Sequence, residues 1–254
     1  MYQSNVLRGF SVAAFAATVL FAVQPAAADI IEINNFWSKA SYNSNVTIDF
    51  HGIDWRNGNT VNFAKPETAG AGGFKTYDLT TDPQKKNAFQ SFCVDIFDSF
   101  SFAVDSKDTK QSASVIISRA AADLGRLYSN HHAAIDSTNS SAENEAAFQL
   151  AVWEIVNERG TGAYTLTAGA FTATGTGFSL AQQWLRELGM PSASSYVASI
   201  WRVQSMLSKP DFKGEYPQDL VVFAPVPEPQ TYAMILVGLG LLGFSARRKD
   251  RHLD

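Results

Sequence analysis

Cys93 stands in the stretch NAFQSFCVDIFDSF and is the only cysteine in 254 residues. As a thiolate it is a nucleophile or a metal ligand, and with one cysteine no intrachain disulfide can form. Other reactive residue types give it little obvious company. Before the C-terminal tail there are three histidines, His51, His131 and His132, and no HExxH or Cys–His ligand spacing. Adjacent His131 and His132 cannot face one way on a helix, so no metal site is expected. Asp95, Asp98, Asp105 and Asp108, like the acid run DFHGID, lack the central glycine and closing glutamate of a calcium loop. No GxSxG elbow occurs, and GTGF and GLGLLGF lack the strand–glycine loop–helix setting of a phosphate cradle. A papain-like pair would need a histidine such as His131 beside Cys93. Yet Cys93 lies in a strand-like stretch, without the helix N-terminus that lowers a thiol pKa. Neither a cofactor nor a turnover enzyme is expected. On residue types alone, Cys93 reads as a small buried hydrophobe or as a nucleophile of another kind.

Two motifs change that balance. FCVDIF at 92–97 together with AAFQLAVWEIVNE at 146–158 resembles a thioester-forming surface domain, the kind found in Gram-positive adhesins and related exported proteins. Those domains carry a Cys in a YCI/V-D/E-like strand and a Gln in a TQxAIW-like helix. The family cysteine falls on Cys93, between Phe92 and Val94–Asp95, and the glutamine on Gln149, followed by Leu150, Ala151, Val152 and Trp153. Phe148 departs from the threonine usual before that glutamine. The resemblance implies that Cys93 attacks the Gln149 carboxamide and expels ammonia, leaving an internal thioester. An amide is a poor electrophile, so both groups must be held in near-attack geometry with the oxyanion stabilised. Phe92, Phe148 and Trp153 are candidates for excluding water, and Asp95 for orienting a group. The stored acyl group would then couple once to an amine or hydroxyl on an unknown surface protein or polysaccharide. Without the resemblance, Gln149, at i+4 from Glu145 and i−4 from Trp153, reads as a boundary residue.

The elements that must present these residues are legible in part. In NVTIDF the residues Val46, Ile48 and Phe50 share one face, as in a half-buried strand. SFCVDIFDSFSFAV also reads as strand, with Phe92, Val94 and Ile96 opposite Cys93, Asp95 and Phe97. From SASVIISRAAADLGRLYSNHHAAI onward the spacing turns helical. SAENEAAFQLAVWEIVNERG is the clearest helix, with Ser141 as cap, Glu143 and Glu145 in its first turn and Gly160 at its end. TGAYTLTAGAFTATGTG returns to strand and turn composition. FSLAQQWLRELGM and SASSYVASIWRVQSMLS read as helices, the latter with a stripe of Tyr196, Ile200, Val203 and Leu207. QDLVVFAPVP reads as a last strand. The expectation is an α+β fold: a single body of β-strands with packed helices.

The two ends set the compartment. Residues 1–28 read as a signal peptide, with Arg8, an apolar run, and Ala26 and Ala28 before the cleavage point. Residues 29–224 form the body. Residues 225–254 combine VPEP at Val226–Pro229, an apolar run from Tyr232 to Phe244 and the basic ARRKD. That run is short for a lasting span, and the basic cluster suits a cytoplasmic flank. A helix packed on the body is the alternative. The same three parts resemble a PEP-CTERM signal, which Gram-negative bacteria use to send proteins to an exosortase, with Pro227, Glu228, Pro229, Arg247 and Arg248 as sorting residues. This implies transient anchoring in the inner membrane, then release to the cell surface or extracellular matrix. Between the ends lie 21 acidic and 15 basic residues, with no basic patch, so nucleic acid is not an expected partner.

Overall fold

The computed structural model describes residues 29–39, 44–97, 108–112, 118–160, 162–205, 219–226, 234 and 236–241. The fold is α+β. Strands β1 (Asp29–Phe36), β5 (Phe74–Asp78), β6 (Phe89–Cys93), β10 (Leu220–Pro225), β9 (Tyr196–Ser205) and β7 (Asp108–Ser112) pair in that order. All these pairs are antiparallel, and pairing of β7 with β1 closes them into a barrel. A second sheet is built on β2 (Asn45–Ile53). It pairs with β4 (Glu67–Gly70) and β8 (Phe171–Gly175) along its first part and with β3 (Thr60–Asn62) at its end. In β2 the residues Val46, Ile48 and Phe50 point into the core and Asn45 and Thr47 outward, the alternation the sequence implies.

Helix α2 (Ala142–Asn157) lies between the two sheets, in contact with β6, β8 and β2 and with α1 (Ser118–Ile135) and α3 (Phe178–Glu187). Every residue from Glu145 to Asn157 is buried, an apolar majority together with Glu145, Gln149, Glu154 and Asn157. Ser141 caps it, its hydroxyl accepting the Asn144 N–H at 3.1 Å. The helix ends at Glu158 without using Gly160 as a cap. Gly177, at the start of α3, has φ +75, and a side chain there would collide with the α2 backbone at Ala147 and Glu143. Glycine is therefore needed twice over, for the left-handed turn and for the close approach of α3 to α2.

Three expectations change. The segment SASSYVASIWRVQS is strand β9, not helix, paired with β10 on one side and β7 on the other. Tyr196 and Ile200 are four apart, which satisfies both periods. The alternation of buried Ala198 and Ile200 with exposed Val197 and Ser199 is that of a strand. Strand β6 stops at Cys93, and Ser112, expected in a helical stretch, lies in strand β7. Among the described residues no helix is long and apolar enough to cross a membrane. The described part of the tail is helical at 234 and 236–241, with Met234, Leu236, Val237, Leu239 and Leu241 exposed. The signal peptide and Pro227, Glu228, Pro229, Arg247 and Arg248 lie outside the described residues.

Candidate functional site

β6 and α2 bring Cys93 and Gln149 together although 56 residues separate them. Pairing of β5 with β6 ends at Ser91, and two residues later the Gln149 carboxamide takes both backbone groups of Cys93. The Cys93 N–H donates to Gln149 Oε1 at 3.2 Å, and Gln149 Nε2 donates to the Cys93 carbonyl at 2.6 Å. Gln149 is therefore no boundary residue: it is 1% exposed with both ends of its amide engaged. The Cys93 side chain, 2% exposed, donates its S–H to the Asp95 carbonyl at 2.9 Å. Burial pushes the thiol pKa well up, and the Asp95 carboxylate adds to the rise.

Trp153 completes this face of α2 one turn beyond Gln149. Its indole N–H lies close enough to the Cys93 sulfur to oppose the rise in pKa, yet it has no hydrogen-bond acceptor among the described residues. A buried N–H without an acceptor costs free energy, and one beside a nucleophilic sulfur is placed to stabilise negative charge there. Phe92 and Phe148 pack with ring centroids 4.5 Å apart, both fully buried. Phe148 also meets Tyr128, Trp184 and Phe223, so the ring in place of the family's threonine joins three elements of the core.

Two charged networks brace the pair, and sequence reading missed both. One turn before Gln149, Glu145 is fully buried and accepts the Gly73 N–H at 3.0 Å, the Gln90 amide at 3.1 Å and the Ser140 hydroxyl. It lies in the first turn as expected, and it ties α2 to Gly73, just before β5, and to β6 three residues before Cys93. Gly73 leaves the room that the Gln90 side chain occupies. On the other flank Asp95 is 2% exposed, receives Arg56 Nη1 at 2.5 Å and accepts the Phe97 N–H at 2.8 Å. Arg56 also grips Asp54 through Nε and Nη2, and its guanidinium lies 4.8 Å from the centre of the Phe97 ring. An aspartate two residues before an arginine is common on protein surfaces. The sequence carried no sign that this pair turns inward.

The other reactive residues are elsewhere. His131 stacks on Trp184 and faces Glu187 at 3.2 Å, away from Cys93, so the papain-like pairing does not assemble. His132 packs against Tyr128 and Tyr196, and His51 faces Asp49. Asp108 lies in β7, whereas Asp98 and Asp105 are outside the described residues. Among the described residues no three His, Cys, Asp or Glu side chains converge as metal ligands.

The family model for the PEP-CTERM protein-sorting motif matches residues 225–249, which include VPEP and the arginines of ARRKD. Such a motif implies export, processing by an exosortase-type enzyme and a surface or extracellular destination. No curated protein matches the chain. Two solved structures align with part of the chain. A variant of the N-terminal thioester domain of a surface protein from Clostridium perfringens is 12% identical, with 61% of this chain and 89% of that one covered and a TM-score of 0.35. The N-terminal domain of the Streptococcus pyogenes pilus tip adhesin Cpa is 11% identical, covering 77% of this chain and all of that one, with a TM-score of 0.39. At these identities the roles of single residues rest on the geometry above.

Proposed function

We propose that this exported protein is a surface attachment module whose body stores an internal thioester between Cys93 and Gln149 and spends it in one covalent coupling. The observation that carries the reading is the double hydrogen bond between the Gln149 carboxamide and the Cys93 backbone, closed to solvent. The Cys93 N–H polarises the carboxamide carbonyl and is the donor for the oxyanion that forms on Gln149 Oε1. In the step, Sγ bonds to the carboxamide carbon and the bond from that carbon to Nε2 breaks. Counted overall, the thiol proton leaves on that nitrogen as ammonia, so the atoms balance without a cofactor. Burial raises the thiol pKa, so the rate rises with pH as the reactive thiolate is populated.

The product is an acyl group activated on Gln149 and shielded from hydrolysis by Phe92, Phe148 and Trp153. A primary amine of a target replaces the sulfur, forming an amide to Gln149 and returning Cys93 to the thiol. Each chain reacts once, so no turnover follows. The test is to incubate the purified protein with methylamine and map the peptides. The account expects a methylamide on Gln149 and a Cys93 that becomes alkylatable on denaturation. A second reading, a non-covalent structural or carbohydrate-binding protein of the extracellular polymer, draws on one observation, the burial that disfavours the Cys93 thiolate. It expects unmodified Gln149 and an alkylatable Cys93 whether or not methylamine is present.

A further inference from the structure

The turn that follows Cys93 is held by a residue outside both motifs. Asp95 contributes its carbonyl to the Cys93 S–H and its carboxylate to the Phe97 N–H and to Arg56. Arg56 divides its guanidinium between Asp95 and Asp54, and Asn57 adds a further donor to Asp54 at 2.9 Å. The Asp54 backbone is itself tied, its carbonyl accepting Gly58 N–H at 2.8 Å and Arg159 Nη2 at 3.4 Å. The turn between β2 and β3 therefore holds the turn after β6 through one side chain. We propose that Arg56 is a positioning residue for thioester formation: by clamping Asp95 it fixes the carbonyl that orients the Cys93 S–H and cancels the carboxylate charge beside the sulfur. The proposal rests on the thioester reading and adds to it a residue that neither motif contains.

The charges around the sulfur make the clamp necessary. Asp95 and Asp219 both face Cys93 and disfavour a thiolate, and Asp54 stands behind Arg56. From α2 the sulfur meets the uncharged Trp153, the uncharged Gln149 holds the Cys93 backbone, and Glu145 is directed one turn away at Gln90 and Gly73. Among the described residues, Arg56 is a cation in hydrogen-bond contact with the Asp95 carboxylate of the Cys93 turn. Without it, Asp95 loses the Arg56 ion pair and its carboxylate acts more strongly on the sulfur at low dielectric. The thiolate that attacks the carboxamide carbon would then be opposed by the full Asp95 charge. As before, that step releases Nε2 with the thiol proton as ammonia.

The experiment follows ammonia loss in freshly synthesised full-length chain across a pH series, by intact mass, for the wild type, Arg56→Gln, Asp95→Asn and the double variant. Charge cancellation predicts opposite shifts in the single variants. Arg56→Gln should move the pH of half-maximal rate upward by about one unit, roughly tenfold slower at a fixed pH on the rising limb. Asp95→Asn should move it downward, and the double variant should return close to the wild type. A merely structural role slows every variant without displacing the pH profile, and that result overturns the proposal. Should Arg56→Gln fail to fold, Asp95→Asn alone decides it, because an unshifted or upward-shifted profile is then the refuting one. A wild type that never loses ammonia sinks the thioester reading and this inference with it. A wild type that loses ammonia with an Arg56→Gln profile identical to its own sinks only the inference.

Discussion

Glu154 sits fully buried in the last turn of the central helix, and its environment makes stability depend on pH in a direction unusual for a carboxylate. Its Oε1 accepts the Thr165 N–H at 2.8 Å, while Oε2 has no hydrogen-bond partner among the described residues. Burial pushes its pKa up to about 8 from an ordinary 4.5, the Thr165 N–H opposing the rise and the Glu158 charge adding to it. In the unfolded chain the group has lost its proton above pH 4.5, but the folded protein keeps it until about 8. Within that window the folded state binds the extra proton. Stability therefore falls as pH rises, by about 1.4 kcal/mol per unit at most. The contribution is fully present below the unfolded pKa and lost above the folded one, a total of a few kcal/mol, on the order of 3–5. Glu154→Gln keeps an acceptor for Thr165 and removes the charge, so it mimics the protonated side chain at every pH. Urea unfolding of wild type and variant across the pH range isolates the effect, because all other groups cancel in the difference. The variant should match the wild type near pH 4.5 and exceed it by a few kcal/mol above pH 8. A difference that does not change with pH, or that favours the wild type at high pH, would refute the reasoning.

Three further substitutions probe the scaffold around the site. Phe148→Thr restores the residue usual in the thioester family but empties a fully buried site between Phe92, Tyr128 and Phe223. It should cost roughly 3–4 kcal/mol in denaturant unfolding. Glu145→Ala leaves the Gly73 N–H and the Gln90 amide without their buried acceptor and should cost about 2–4 kcal/mol. Because Glu145 sets the alignment of α2 on β6, that variant should also slow ammonia loss in a folded chain, read by intact mass at fixed times. Gly177→Ala forces a side chain into positive φ and against the α2 backbone. A cost of roughly 1–3 kcal/mol is expected, read as a lower melting temperature.

What the sequence disclosed depended on whether a signal was local. The Ser141 cap and the alternation in β2 are short-range patterns, and both appear in the structure as read. Tyr196 and Ile200, four residues apart, fit a helix and a strand equally well. Only pairing with β7 and β10, a long-range fact, decides for the strand. Glu145 lies in the first helical turn as read, but its burial was not legible, because its partners Gly73 and Gln90 come from far away in the sequence. Gln149 and Cys93 were paired through motif resemblance, since nothing in their 56-residue separation says that strand and helix pack side by side. Arg56 could not have been found at all: its partner Asp95 is 39 residues away, with strands β3 to β6 between them.

The central claim is a covalent bond, and intact-protein mass under denaturing, non-reducing conditions measures it directly. The account predicts that the mature protein is lighter than its sequence by one ammonia. The deficit should be absent from Cys93→Ala and Gln149→Ala and be discharged by methylamine. A wild-type mass equal to that of the unmodified chain, with Cys93 fully alkylated once unfolded, would contradict it.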